Sequence, residues 1–329
     1  MRAIETRFFR ALLKNTTFIL FVVVFVVFGL LARNFLTLGN LQVILSNSSY
    51  IGIITVGMTF VLLVGGIDLS VGSIMYLSAV ATSVVVNDLE LSPWLGVVAC
   101  LAVGLAFGAF NAFAVTKLGI VPFIATLVTM IAGRGLGLLV TQSVQLDFPD
   151  SITLLATVRL GGVQLNILIY ALVVGLAALF LAWTPWGRRL YAAGNDLEAA
   201  RKAGLKVARI IGSTYVVSGI CAALGGFVSI AQIGRVPASF GRNSEFDAIA
   251  AAVLGGVSLF GGVGTVFPGA LLGTVMIRVI QAGLVAKNVD IYIQPIIMGA
   301  IIFFAVLLDA LRNLQLKKLG RRNIMKLEA

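Results

Sequence analysis

The chain has 329 residues, of which 60% are hydrophobic and 11% are charged, and it contains no histidine. A soluble globular domain is about half apolar and about a quarter charged, so this composition excludes an ordinary soluble domain and indicates a polytopic membrane bundle. The net charge of +11 would suit nucleic acid, but the basic residues gather in short loops and at the termini, so no nucleic-acid partner is expected. The two cysteines, Cys100 and Cys221, lie in apolar runs without metal or redox spacing, so no metal and no cofactor are expected.

In chain order, the apolar runs predict an all-α chain with about ten spans. The third run is short and rich in Ser and Thr, and the eighth is rich in Ala and Gly, so either can be a re-entrant piece. The stretch from Leu36 to Ser49 is also compatible with a short surface helix, so eight to ten crossings are expected. The predicted spans are 16–36, 44–66, 70–87, 93–116, 120–141, 165–185, 210–232, 246–262, 266–286 and 291–311.

Most of the 24 Lys and Arg residues fall in segments that would share one side of the membrane. These segments are a basic tail at 1–15, a loop at 186–209 and a second basic tail at 312–329. Because cytoplasmic loops of membrane proteins carry excess Lys and Arg, both termini are expected in the cytoplasm. The whole chain, 1–329, is expected to form one transmembrane permease domain, with its first run retained as a signal anchor.

Two glycine-rich stretches interrupt the apolar runs: residues 65–73 read GGIDLSVGS and residues 255–263 read GGVSLFGGV. Each places a glycine pair and a helix-capping residue, Asp68 or Ser258, in apolar surroundings. Backbone left unpaired at membrane depth is tolerated only inside protein or beside a water-filled cavity, so paired breaks indicate a transport pathway. The glycines predicted to form the breaks are Gly65, Gly66, Gly72, Gly255, Gly256, Gly261 and Gly262.

Asp68 is an isolated carboxylate in the apolar part of the chain, where an ionised group needs a partner. We expect it to cap the third span by accepting a hydrogen bond from the backbone N–H of Ser70 or Val71, and Ser258 to cap in the same way. Direct contact with a substrate is the alternative, and the two roles are compatible.

The loop 186–209 contains a segment, 197–203, with strong helix propensity. Asn195 or Asp196 can cap this helix, with Glu198 three residues after Asn195 as in a capping box, and Gly204 suits the position after its end. The loop is either a docking helix for a partner or a solvated loop that fixes topology.

Two arginines, Arg134 and Arg278, fall within predicted spans. We expect their side chains to reach the outer membrane surface, as long basic side chains near helix ends do. The alternative is a pair with an acidic residue near that surface. Those acidic residues are Asp147, Glu245 and Asp247.

Several strings together resemble the permease subunits of bacterial monosaccharide ABC importers of the ribose, xylose and galactose type. They are 56–61 (VGMTFV), both glycine stretches, 121–127 (VPFIATL), 134–135 (RG), the 191–204 loop and 246–251 (FDAIAA). The resemblance covers about residues 40 to 310. It implies a type II ABC importer fold of about ten transmembrane or re-entrant helices with a short cytoplasmic coupling helix, in the bacterial inner membrane.

The resemblance also implies the partners of the chain. They are cytoplasmic ATP-binding subunits, a periplasmic sugar-binding protein, membrane lipid and a second permease copy in a homo- or heterodimer. ATP hydrolysis would belong to a separate subunit, so the chain itself is not expected to be an enzyme. The residues implied in ATPase coupling are Gly194, Asn195, Asp196, Glu198, Ala199, Ala200, Arg201 and Gly204.

A neutral sugar needs hydrogen-bonding groups matched to its hydroxyls, together with apolar surface. Residues near the breaks supply such groups, and which sugar is carried stays open between a pentose, a hexose, a deoxysugar and a sugar-like signal molecule. The predicted pathway residues are Asp68, Ser70, Ser73, Thr126, Thr129, Ser258 and Phe260.

Two other functional classes remain as alternatives. An ion-coupled secondary transporter of a small polar solute would explain broken helices, but proton coupling usually uses several membrane-embedded Asp, Glu or His residues, and here Asp68 stands almost alone. A membrane enzyme would need a nucleophile–base pair or a metal cluster, and none is visible in a chain without histidine.

Overall fold

The computed structural model describes residues 16–32, 35–301, 303, 304 and 307. The chain divides into a central unit, Leu36–Arg278, and a terminal unit formed from the two chain ends. The predicted basic tails 1–15 and 312–329, and part of the predicted span 291–311, lie outside the described residues. The prediction of one permease domain over the whole chain stays a prediction.

Most of the described chain is helical, with two short antiparallel strand pairs in the loops. Leu146–Asp147 pairs with Arg235–Val236, and Arg159–Leu160 pairs with Val163–Gln164. A π-helical turn, Val84–Asp88, extends α3, and a second, Val266–Ala270, precedes α12. The helices are α1 (Thr16–Leu31), α2 (Leu38–Leu63), α3 (Val71–Ser83), α4 (Pro93–Thr116), α5 (Pro122–Thr141), α6 (Asp150–Thr153), α7 (Leu165–Trp183), α8 (Pro185–Asn195), α9 (Leu197–Lys202), α10 (Val207–Ile233), α11 (Ser244–Leu254) and α12 (Leu271–Ala286).

Seven helices of the described chain are long and apolar enough to cross a membrane. This confirms the coarse expectation of a helical, multi-pass membrane protein, while the full count of crossings stays a prediction. The seven are Leu38–Leu63, Val71–Asp88, Pro93–Thr116, Pro122–Thr141, Leu165–Trp183, Val207–Ile233 and Val266–Ala286.

Two boundaries differ from the sequence analysis. The alternative of a separate surface helix at 36–49 is not realised, because α2 runs unbroken from Leu38, where the Thr37 hydroxyl accepts from the backbone N–H of Asn40 at 3.4 Å. The predicted span 246–262 is helical only to Leu254, after which Gly256 has a φ of +87° and the chain leaves the helix. A left-handed residue ends a helix because it turns the following carbonyls away from its axis.

The centre of the central unit is α10, which packs on one side against α2 and on another against α4, and both α2 and α10 bury most of their length. Close backbone approach makes this packing possible. Gly104 and Gly108 of α4 form a small-x-x-x-small pair and face Gly219 and Tyr215 of α10, where the missing side chains let the two backbones approach. By contrast, α4, α5 and α7 each leave a set of large apolar side chains exposed, among them Leu105, Val128 and Leu172, as expected for helices that face lipid.

Candidate transport site and coupling junction

The first break lies between α2 and α3 and is organised by Asp68, which is fully buried. Its Oδ1 accepts hydrogen bonds from the Ser70 backbone N–H at 3.0 Å and the Ser70 hydroxyl at 2.5 Å. Its Oδ2 accepts from the hydroxyl of Ser218 on α10 at 2.7 Å. The expected hydrogen bond from the Ser70 N–H is therefore present, but the capping role is wrong: Ser70 is the N-cap of α3, and Asp68 closes the turn before the helix. Three donors from the protein satisfy the carboxylate.

The hydrogen-bond network continues from Ser70 into two neighbouring helices. Asn111 of α4 donates to the Ser70 hydroxyl at 2.9 Å, and Thr129 of α5 donates to the Asn111 carbonyl oxygen at 2.8 Å. Thr126 donates to the Ile67 carbonyl at 3.2 Å. Four predicted pathway residues thus meet in one place, which we call the Asp68 cluster; its members are Asp68, Ser70, Asn111, Thr126, Thr129 and Ser218.

Sequence reasoning missed Asn111 and Ser218. The available signal was weak: Asn111 is an amide in an otherwise apolar helix, and Ser218 is one of several hydroxyls in α10. All members of the cluster are buried. In this conformation the cluster is therefore a closed junction between helices.

The other predicted pathway residues lie apart from the core of this cluster. Ser73 sits one turn into α3 and donates to the Ser70 carbonyl at 2.8 Å. Ser258 accepts from the backbone N–H of Phe260 at 3.2 Å, the same two-residue spacing as the Asp68 contact with Ser70. The described residues 258–265 contain no helix, and the next helical turn begins at Val266, so the prediction that Ser258 caps a helix is wrong. Phe260 is 88% exposed and faces away from the buried network.

The two glycine breaks contact each other directly. The backbone N–H of Gly262 donates to the Leu63 carbonyl, at the end of α2, over 2.9 Å. Gly261 has a φ of +87°, and a Cβ there would lie 2.9 Å from the Gly65 nitrogen. Only glycine combines this backbone conformation with so close an approach.

The end of α8 closes on the same point. A Cβ at Gly194 would collide with the Leu63 carbonyl and with the Gly262 nitrogen. Nearby, the Tyr191 hydroxyl donates to the Gly264 carbonyl at 2.8 Å, and burial raises the pKa of Tyr191, so the phenol stays a neutral donor. We call this contact the glycine junction; its members are Leu63, Gly65, Tyr191, Gly194, Gly261, Gly262 and Gly264.

The loop 186–209 is more helical than its sequence predicted. The expected short helix is present as α9, and Gly204 follows it with a φ of +79°. The capping box was wrong: Asp196 caps α9 by accepting from the Ala199 N–H at 2.9 Å, which makes Glu198 the second residue of the helix, not the third. The remaining predicted coupling residues, Ala200 and Arg201, lie within α9.

Sequence reasoning missed α8. Its signal was Thr184 followed by Pro185, a cap and a first-turn proline, and the Thr184 hydroxyl does accept from the Gly187 N–H at 3.1 Å. Because α8 ends at Asn195, that residue belongs to a helix and cannot cap the next one.

Both arginine side chains donate hydrogen bonds to acceptors within the protein. Arg134 donates to the Phe240 carbonyl at 2.6 Å and to the Gly72 carbonyl at 3.4 Å, and so joins the segment before α11 to the start of α3. Arg278 donates to the Tyr50 hydroxyl at 2.7 Å. Whether the two side chains also reach the outer membrane surface stays a prediction. Of the acidic alternatives, Asp147 pairs with Arg235 at 3.3 Å, whereas Glu245 lies in the field of Arg134 and Asp247 in that of Arg278.

The starts of the short span α3 and of the 11-residue helix α11 also meet. Gly72 packs against Gly241 and against the carboxylate of Glu245, without space for a side chain on either glycine. Half-helix N-termini that face each other inside a bundle are a recurring feature of transporter sites, because their partial positive charges and free N–H groups point at the pathway.

Comparison with known proteins places this geometry in context. Residues 40–306 match the family model described as branched-chain amino acid transport system / permease component. The ribose import permease protein RbsC of Escherichia coli is 36% identical over 304 residues, covering 91% of this chain and 94% of the relative. The autoinducer 2 import system permease protein LsrC of Yersinia enterocolitica is 34% identical over 316 residues, covering 94% and 87%. The galactose/methyl galactoside import permease protein MglC of Haemophilus influenzae is 35% identical over 301 residues, covering 84% and 88%. No solved structure matches significantly.

Proposed function

This chain belongs to the branched-chain amino acid transport system / permease component family, and from that premise we propose that it is the transmembrane permease subunit of an ABC importer for a monosaccharide. The motif resemblance to monosaccharide permeases is confirmed. A sugar is favoured over an amino acid because relatives named for ribose and galactose import match nearly their whole length.

The partners follow from this assignment. Separate cytoplasmic subunits bind and hydrolyse ATP, a periplasmic protein delivers the sugar, and a second permease copy, identical or related, completes the pathway. The chain lies in the bacterial inner membrane with both termini in the cytoplasm, because the loop 186–209 and both basic tails, which hold most of the Lys and Arg residues, would then lie inside.

The observation that carries the coupling mechanism is the glycine junction. Gly194 at the end of α8 touches both the end of α2, at Leu63, and the second glycine stretch, at Gly262. When the ATP-binding subunits close and displace α8 and α9, the displacement reaches both breaks through one backbone contact. This route is shorter than transmission along α7 and α10, the long helices that flank the loop.

The Asp68 cluster acts at the other end of the same break, as the gate. The carboxylate holds the start of α3 against α10 through Ser218. Movement of the 64–70 loop separates these partners and exposes the hydroxyl and amide groups of Ser70, Asn111 and Thr129. Such groups match the hydroxyls of a neutral sugar, and weak, exchangeable contacts allow its release.

The assignment is tested in proteoliposomes that hold the permease, its ATP-binding subunits and the binding protein, with radiolabelled ribose and galactose as probes. Uptake should require ATP and the binding protein, and should persist in the presence of an ionophore. Uptake without ATP that collapses with the ionophore would instead support the ion-coupled secondary transporter.

A further inference from the structure

A cavity of about 380 Å³ lies where α8 and α10 begin. Three basic side chains line it, from Arg189, Lys206 and Arg209, and all three are exposed. Among the residues that the structure describes, no carboxylate lies within ion-pair distance of any of them. The cavity therefore gathers positive charge that the rest of the described chain does not neutralise.

The wall of the cavity is partly apolar. Leu205 and Ile210 line it, together with Trp186, whose indole N–H donates to the Ser213 hydroxyl at 3.2 Å and is thereby held in place. The span α7 ends at Trp183 and the span α10 begins at Val207. The cavity consequently lies at the level where membrane spans emerge, which is the level that tryptophan favours and where lipid headgroups lie.

The helix macrodipole makes this charge pattern unusual. Lys206 is the N-cap of α10 and Arg209 lies in its first turn, where the helix end is already partly positive and acidic residues are normally favoured. In α9, by contrast, Arg201 and Lys202 occupy the last turn, where a cation is favourable. The dipole of α9 therefore stabilises its own cations. The dipole of α10 instead opposes Lys206 and Arg209, which an external anion would stabilise.

We propose that this cavity binds the phosphate of an anionic phospholipid headgroup. The guanidinium groups of Arg189 and Arg209 suit bidentate hydrogen bonding to phosphate, and Lys206 adds a third positive charge. Leu205, which is partly exposed, contacts the glycerol and the first carbons of the acyl chains, and Ile210 is buried beneath the cavity. This apolar wall and the position at the membrane boundary favour a lipid over free phosphate. None of the residues of the glycine junction lines the cavity, whereas Gly204, one of the predicted coupling residues, does, so the site adjoins the segment expected to meet the ATP-binding subunits.

Native mass spectrometry of the purified full chain, titrated with phosphatidylglycerol and separately with phosphatidylcholine, tests the proposal. The cavity variant is Arg189→Gln, Lys206→Gln and Arg209→Gln together. Its matched control is Arg188→Gln, Arg201→Gln and Lys202→Gln, which removes the same charge from the same loop outside the cavity. A thermal melt in neutral detergent, repeated with each single variant, establishes that the proteins are folded.

We expect the wild type and the control to retain phosphatidylglycerol in preference to phosphatidylcholine. The cavity variant should lose at least about tenfold in phosphatidylglycerol affinity, because each basic residue near an anionic surface contributes measurably to binding. Equal losses in both triple variants, or no loss in the cavity variant, would overturn the proposal. Displacement of the lipid by millimolar inorganic phosphate would indicate a free-anion site instead. Normal lipid retention with lost binding of the ATP-binding subunits would assign the cavity to protein docking.

Discussion

Gly194, at the end of α8, lies against the Leu63 carbonyl at the end of α2 so closely that no side chain fits between them. One residue of a polar loop is thus in backbone contact with the first glycine break and, through Gly262, with the second. A close-packed contact of this kind passes a displacement of one segment on to the other, because packed atoms resist compression.

Adding a single methyl group at this contact should uncouple the transporter. Gly194→Ala places a Cβ into the Leu63 carbonyl and the Gly262 nitrogen, so α8 must move away from the breaks. We expect ATP-dependent sugar uptake in proteoliposomes to fall at least tenfold. Gly175→Ala is the control, since a Cβ there meets no atom within 4 Å. Full uptake by Gly194→Ala would show that the contact is not needed.

The Tyr191 hydroxyl should matter for coupling and not for assembly. Tyr191→Phe removes only its hydrogen bond to Gly264, worth about 1 kcal/mol. We expect sugar-stimulated ATP hydrolysis to fall several-fold while the ATP-binding subunits still copurify with the permease. Tyr292→Phe, at a tyrosine that is 84% exposed, should leave both measurements unchanged. Loss of copurification in Tyr191→Phe would assign the phenol to docking.

Asp68 should contribute both to the stability of the folded protein and to sugar uptake through the Asp68 cluster. Asp68→Ala leaves the buried hydroxyls of Ser70 and Ser218 without their acceptor, at a cost of about 1–3 kcal/mol for each buried group left unpaired. We expect a lowered melting temperature in detergent and loss of uptake. Asp68→Asn keeps one carbonyl oxygen for the Ser70 N–H and should be milder on both counts.

Asp150→Ala is the control, because it removes a carboxylate that is exposed to solvent and should leave the melting temperature and the uptake unchanged. Suppose instead that Asp68→Asn has the wild-type melting temperature and loses only a proton-dependent component of uptake. The carboxylate would then act as an ion-coupling group, and its hydrogen bonds to Ser70 and Ser218 would not explain its role.

Asp196 and Glu198 should contribute differently to the stability of α9, because Asp196 is its N-cap. Asp196→Ala removes the acceptor for the Ala199 N–H and should destabilise the short helix by about 1 kcal/mol. Glu198→Ala should leave the helix intact, since Glu198 is not at the capping-box position. Affinity of the ATP-binding subunits, measured by surface plasmon resonance on the purified permease, should fall more in Asp196→Ala. A larger loss of affinity in Glu198→Ala would contradict the assignment of Asp196 as the cap that stabilises α9.

Local sequence signals predicted the parts of the fold that depend on local physics. The spans follow from apolar runs, and the breaks at Gly65 and Gly256 follow from glycines that adopt φ values of +73° and +87°. The turn at Asp68 follows from a side chain that bonds two residues along the chain. Each of these features is encoded within a few residues.

The sequence did not predict contacts between residues that lie far apart along the chain. Ser218 lies 150 residues from Asp68, and nothing in its neighbourhood distinguishes it from other serines of α10. Arg134 was expected to reach water because its backbone carbonyl partners, at Phe240 and Gly72, exist only once the helices have packed. The glycine junction is of the same kind, since three separate segments must meet before Gly194 has a neighbour.

Hydrogen exchange in the assembled transporter, compared with and without ATP, tests the coupling route most directly. The prediction is that protection changes together in the 191–204 loop and in the 255–264 stretch, and that Gly194→Ala abolishes the change at 255–264 while leaving that of the loop. A change confined to the loop in the wild type, with 255–264 indifferent to ATP, would contradict the route through the glycine junction.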